Sequence, residues 1–185
     1  MTEPEITQLR TIALIGAGTA GRGFALACAA AGYRVVLEDV MPSNLRRAEA
    51  DFAGRMPSGT LELALTVEDA VREADLAIDF VPDELESKLE IFSMIDRMAP
   101  PKTILCTPSE ALSITDLASC VYRPERCFAV RGGLAASSVA RLLYPPSADK
   151  GALASVEGFL RSLGIEVQAE PDPDAPMLMK NLSRN

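Results

Sequence analysis

Short apolar runs bounded by glycine or proline alternate along this chain with stretches in which apolar residues recur every three or four positions. The first pattern belongs to strands buried on both faces, the second to amphipathic helices. Thr11 to Ile15 (T-I-A-L-I) reads as the first strand, and Ala20 to Ala31 as a helix of small, helix-favouring residues that Gly32 stops. Tyr33 to Glu38 is the second strand, and Pro42 to Phe52 a helix with proline in its first turn. A loop over 54–59 leads to a third strand, Leu61 to Leu65, and a short helix, Val67 to Glu73. Leu76 to Val81 is the fourth strand, ended by Pro82. Leu85, Leu89, Phe92, Ile95 and Met98 then recur at helical spacing, with Glu84 and Lys88 placed as an i,i+4 pair. Thr103 to Cys106 is a fifth strand, Ser113 caps a helix through Ala118, and Cys127 to Val130 is a sixth strand. A helix from about Asp149 to Leu163 ends at Gly164, and Ile165 to Ala169 forms a last strand. The proline-bearing tail from Glu170 is expected to wrap or fray.

Alternating strands and helices predict an α/β fold with a mostly parallel sheet and right-handed crossovers. At 185 residues the chain fits one domain, taken as 1–185 with 1–10 and 170–185 as peripheral tails. Its 26 acids against 18 bases give a net charge of -8, which repels phosphate backbones and argues against nucleic acid. Histidine is absent, so no imidazole of these residues acts as a base or metal ligand. Cys28, Cys106, Cys120 and Cys127 form no C-x-x-C pair and follow no export signal, so they read as free, mostly buried thiols in a reducing cytoplasm. No apolar run approaches the ~20 residues that span a bilayer.

The strongest chemical signal is Gly16-Ala17-Gly18-Thr19-Ala20-Gly21, set between a buried strand and a helix. In that context the motif binds a dinucleotide: Gly16 turns sharply out of the strand, Gly18 lets a diphosphate approach the backbone, and Gly21, with Gly23, lets the helix press on the sheet. The helix start then offers free N–H groups and partial positive charge. An acid should end the second strand and accept from the adenosine ribose; Asp39 stands 18 residues after Gly21, with Glu38 as runner-up. A carboxylate there repels a 2′-phosphate, so NAD(H) is expected rather than NADP(H). The fold expected is a single Rossmann-type, doubly wound sheet with helices on both faces.

These residues resemble the NAD-binding domain of 3-hydroxyacyl-CoA dehydrogenases. The run I-A-L-I-G-A-G-T-A-G-R-G-F-A looks like that family's first strand and turn, with Ala20 where methionine is usual. D-L-A-I-D-F-V-P-D-E (Asp75 to Glu84) with Lys88 is similar to its fourth strand and following helix, and L-S-I-T-D-L-A and R-P-E-R to the stretch before its sixth. The likeness runs from Ile12 to Gly164. It implies that Val81, Asp83 and Lys88 lie near the nicotinamide half of the cofactor, and that the substrate is an acyl-CoA or a small hydroxy or keto acid.

The family's reaction uses a histidine as proton acceptor, a glutamate that orients it, and a serine and an asparagine that hold substrate. Here Glu110 falls at the serine position, Arg131 at the histidine, Leu143 or Tyr144 at the glutamate, and Asn181 at the asparagine. Arginine has no free acceptor and stays protonated. The span from Asp39 to Asp83 is also too short for the family's helical hairpin, and the chain stops where its helical, dimerising second domain would begin. The resemblance therefore implies an NAD(H)-binding protein of this type, impaired in the usual reaction. The alternative is a non-catalytic NAD(H) sensor or subunit acting through a homodimer or a helical partner. Glu110 and Arg131 are expected to form an ion pair at the old catalytic positions, against a reading as two solvated surface charges.

Overall fold

The structure, a computed structural model, describes residues 6–174. Its elements are β1 (Thr11–Ile15), α1 (Thr19–Ala30), β2 (Arg34–Glu38), α2 (Pro42–Phe52), β3 (Thr60–Ala64), α3 (Val67–Val71), β4 (Leu76–Asp79), α4 (Leu85–Met98), β5 (Ile104–Pro108), α5 (Ile114–Ala118), β6 (Cys127–Gly132), β7 (Val139–Tyr144), α6 (Lys150–Ser162) and β8 (Glu166–Pro171). A short 3-10 turn, Pro124–Arg126, leads into β6. Among the described residues the strands form one sheet in the order β3-β2-β1-β4-β5-β6-β7-β8. The chain builds outward from β1 through β2 to β3, then crosses to β4 on the other side, so the winding reverses between β1 and β4. Such a switch point opens a crevice at the carboxyl ends of the strands, where ligands of open α/β sheets bind.

Both faces of the sheet are covered, which explains the unbroken apolar runs. Ile12 and Leu14 of β1 pack with Phe24 of α1, Leu45 of α2 and Phe159 of α6. Ala13 and Ile15 face the other way, against Val71 of α3, Phe92 of α4 and Leu117 of α5. Three helices begin where side-chain oxygens satisfy a free amide: Thr66 accepts from the Asp69 N–H at 3.1 Å, Ser113 from Asp116 at 3.2 Å, and Asp149 from Ala152 at 2.7 Å.

Two features differ from the sequence reading. β7 was not expected, and it runs antiparallel to β6 with Arg131 opposite Arg141; β8 then pairs parallel to β7. β8 also runs past the expected Ala169 through Glu170 and Pro171, and the tail then begins by wrapping, one of its two expected courses: Asp172 accepts from the Ser113 hydroxyl at 2.7 Å and the Thr115 N–H at 2.9 Å. No described helix is long and apolar enough to cross a membrane.

Candidate functional site

The glycine-rich turn leaves β1 at its carboxyl end. Gly16 has φ +106°, a region that L side chains rarely adopt, and its N–H donates to the Glu38 carbonyl at 2.8 Å. A Cβ on Gly21 would lie 1.9 Å from the Gly16 carbonyl oxygen, so only glycine lets α1 start this close to the turn. Gly18 is different: a Cβ there would meet no protein atom within 4 Å. Nothing among the described residues demands glycine at that position, and the surface they leave over it is open. Gly23 also has open space around it and is exposed, so it does not bring helix and sheet together as the sequence suggested.

α1 begins without a side-chain cap and without an acid in its first turn. Gly18, Thr19 and Ala20 are exposed, and their amides have no hydrogen-bond acceptor among the described residues. These donors, the open surface at Gly18 and the close approach at Gly21 together fit a diphosphate. Arg22, which sequence reasoning passed over, braces the turn from behind: its guanidinium donates to the Ala17 carbonyl at 3.0 Å and to Asp51 at 2.8 Å. Asp39 ties the turn to α2, accepting from the Ala17 N–H at 2.9 Å, the Asn44 amide at 3.0 Å and the Met41 N–H at 2.8 Å. Its carboxylate is thereby held half-buried beside the turn.

Across the switch point, Val81 is half-buried and Asp83 exposed just beyond β4. Asp83 accepts from the Ser109 hydroxyl at 2.6 Å and the Glu110 N–H at 2.9 Å, which fixes the loop after β5. Lys88 does not pair with Glu84 on the helix surface. It is 1% exposed, and its ammonium donates to Asp79 at 2.7 Å and to the Pro108 carbonyl at 3.0 Å. Burial pushes the Asp79 carboxyl above its ordinary range against the pull of Lys88. The single acid in the apolar run L-A-I-D-F-V was the available sign of this pair.

The expected Glu110–Arg131 ion pair is absent. Glu110 turns its carboxylate to the Gly132 N–H at 2.8 Å, and Arg131 pairs with Asp174 at 2.6 Å while donating to the carbonyls of Leu112 at 3.0 Å and Ser109 at 3.3 Å. Backbone carbonyls of the loop after β5 draw the guanidinium inward, where the Asp174 carboxylate meets it. Glu110 and Arg131 still stand at the carboxyl ends of adjacent strands. Sheet alternation separates the two candidates for the orienting position. Leu143 is fully buried on the α4 and α5 face, the side to which Arg131 belongs, whereas Tyr144 packs on the opposite core. Asn181 lies outside the described residues. Two open hollows lie away from the turn: one of about 430 Å³ runs along β3 and α3 from Arg34 and Glu73 to Leu65, and one of about 580 Å³ lies beside Arg10 and Tyr33 at the amino ends of the strands. We give them no part in dinucleotide binding.

The family model described as 3-hydroxyacyl-CoA dehydrogenase, NAD binding domain, matches residues 11–131. The chain is 32% identical over 133 residues to 3-hydroxyadipyl-CoA dehydrogenase of Escherichia coli K12, covering 64% of this chain and 28% of that protein. It is 34% identical over 131 residues to 5-formyl-3-hydroxy-2-methylpyridine 4-carboxylate 5-dehydrogenase of Mesorhizobium japonicum, covering 64% and 42%. Among solved structures, a 3-hydroxyacyl-CoA dehydrogenase of Archaeoglobus fulgidus superposes with a TM-score of 0.76 at 27% identity, over 95% of this chain and 60% of that one. The chain thus spans less than half the length of the two curated relatives.

Proposed function

This chain belongs to the NAD-binding domain family of the 3-hydroxyacyl-CoA dehydrogenases, and from that premise we propose that it holds NAD(H) across the switch point but is impaired in the family's usual oxidation of a 3-hydroxyacyl thioester. The cofactor is NAD, and it supplies the acceptor or donor of a hydride. The open amides of Gly18, Thr19 and Ala20 would hold the diphosphate, Asp39 the adenosine ribose, and Val81 and Asp83 the nicotinamide half. Lys88, spent on Asp79 and Pro108, acts as a positioning residue under the loop that carries Ser109 and Glu110.

The observation that supports impairment is the fate of Arg131. A group at the family's histidine position must take or give a proton, and a guanidinium bound to two carbonyls and a carboxylate does neither. Leu143 offers no charge to orient a base. Binding without turnover, as a sensor or a subunit for a partner, follows from that arrangement, because the dinucleotide groove is left intact while the proton path is not.

Thermal melting tests the cofactor assignment. NADH at ~100 times its dissociation constant stabilises by about 2.7 kcal/mol, a rise of roughly 5–10 °C for a chain of this size. NADPH at equal concentration is expected to give little shift, since Asp39 faces its 2′-phosphate. Equal shifts from both would overturn the role given to Asp39, and no shift from NADH would overturn the cofactor reading for this chain.

A further inference from the structure

Arg131 lies near the end of β6, beside the end of β5, on the carboxyl side of the sheet where open α/β folds receive ligands. Two loop carbonyls pin its guanidinium: Nε donates to Ser109 at 3.3 Å and Nη2 to Leu112 at 3.0 Å. Nη2 donates as well to the Asp174 carboxylate at 2.6 Å. Nη1 has no partner among the described residues and is not one of their buried unpaired atoms, so it meets solvent. The two ends of the ion pair differ in depth. The arginine side chain is 11% exposed and that of Asp174 is 43% exposed. A guanidinium this deep needs acceptors around it, whereas a carboxylate this open is already hydrated and loses little by leaving.

The segment that carries Asp174 is fastened elsewhere. One oxygen of Asp172 accepts from the Ser113 hydroxyl at 2.7 Å, the Thr115 N–H at 2.9 Å and the Thr115 hydroxyl at 2.8 Å, and the other accepts from the Asp174 N–H at 3.1 Å. The Asp174 carboxylate has Arg131 as its only hydrogen-bond donor among the described residues. Neighbouring charges are engaged: Arg141, opposite Arg131 in register, by Glu170 at 2.9 Å, and Glu110 by the Gly132 N–H at 2.8 Å.

We propose that Arg131 is a binding residue for a small carboxylate ligand, and that the Asp174 carboxylate holds its place as a displaceable stand-in. This goes beyond the NAD(H) reading and stands without it, since the contact lies within the chain. A guanidinium takes a carboxylate most firmly through two parallel N–H groups. Asp174, tied to its backbone, takes only Nη2; a free ligand can turn to meet Nη1 as well. A tethered carboxylate competes at an effective concentration of about millimolar, so a free carboxylate is expected to bind in roughly that range and more tightly once the tethered one is removed.

The test is an NMR titration of acetoacetate into the full chain without dinucleotide, following the Arg131 Nε–H and the Gly132 amide. Methyl acetoacetate, the same skeleton without the charge, and inorganic phosphate serve as controls. Because Arg131 also pins the loop after β5, the deciding variant is Asp174→Asn, which leaves the guanidinium and its two carbonyls in place. It is expected to tighten acetoacetate binding by about tenfold or more, the weight of one hydrogen bond to a charged group, and Arg131→Gln to abolish binding. Unchanged affinity in Asp174→Asn, or binding of the ester or of phosphate equal to that of acetoacetate, overturns the proposal. So does the absence of acetoacetate binding in Asp174→Asn. The NADH melting shift is measured separately, so failure of one reading leaves the other standing.

Discussion

Gly18 and Gly21 look alike in the motif but are held by different forces, and substitution separates them. Gly21→Ala drives a methyl into the Gly16 carbonyl at 1.9 Å, and is expected to cost about 1–3 kcal/mol or more in a urea unfolding curve. Gly18→Ala meets no protein atom and is expected to stay within about 1 kcal/mol of the wild type, while its NADH affinity falls by about tenfold or more, some 1.4 kcal/mol. Equal stability losses in the two variants would remove the argument that Gly18 is kept open for a ligand. Glu38 gives a third prediction at this scale. Its carboxyl, buried and beside Asp39, titrates at about 7 in the folded chain against 4.5 ordinarily. Between these values the folded state thus holds a proton that the unfolded state has lost, so the contribution of Glu38 to stability is greatest below about 4.5 and declines as pH rises to about 7. Glu38→Gln removes that decline, so urea midpoints at about pH 5 and about pH 8 should differ less in the variant than in the wild type. The sequence exposed the motif and Asp39 because spacing along the chain carries them. It hid the contrast between the glycines and the burial of Glu38, because both depend on what lies across the sheet.

Among the elements, β4 and α4 are joined through the Asp79–Lys88 pair, at 0% and 1% exposure. Removing one partner leaves a charge buried with no counter-charge, so Asp79→Asn is expected to cost about 3–5 kcal/mol. Replacing both, as Asp79→Leu with Lys88→Met, should cost much less, because the desolvation of both ions is relieved together. A double-mutant cycle on unfolding free energies measures the difference, and additive losses would show that the two side chains do not act as a unit. Helical periodicity put Lys88 near Glu84, which is correct on the helix but says nothing about the sheet beneath. β7 escaped for a related reason. In V-A-R-L-L-Y the alternation lasts only from Val139 to Leu142 before Leu143 is buried as well, so six residues present neither a clean period of two nor a continuous apolar run. What keeps it a strand is pairing with β6 and β8, a long-range cause that no local pattern displays. Strands β1, β2, β4, β5 and β6 were legible because they are largely buried on both faces and read as apolar in themselves, whereas β3, an edge strand with Thr60 and Glu62 exposed, was legible from the glycine- and proline-bearing loop before it.

At the scale of the whole molecule, the function proposed above divides the crevice in two. In that reading one half receives the dinucleotide, at the turn, α1 and Asp39. The other is altered in its chemistry, where the ends of β5 and β6 are tied up by Asp83, Glu110, Arg131 and the segment from Asp172 to Asp174. General acid–base help is worth ~10²–10⁴ in rate, so acetoacetyl-CoA reduction by NADH, followed at the nicotinamide absorbance, should run slower than an intact family site by at least that factor. Arg131→His alone is expected to recover less than about tenfold, since Leu143 cannot orient the new imidazole and groups that act as a unit are not additive. Arg131→His with Leu143→Glu should recover more than the product of the single changes. If the unaltered chain already turns over rapidly and Glu110→Gln abolishes the reaction, the proton travels through Glu110 and the reading of impairment fails. If every variant stays near background while NADH still binds, the altered half serves no hydride transfer to this substrate, and the intact half is left to act by binding alone.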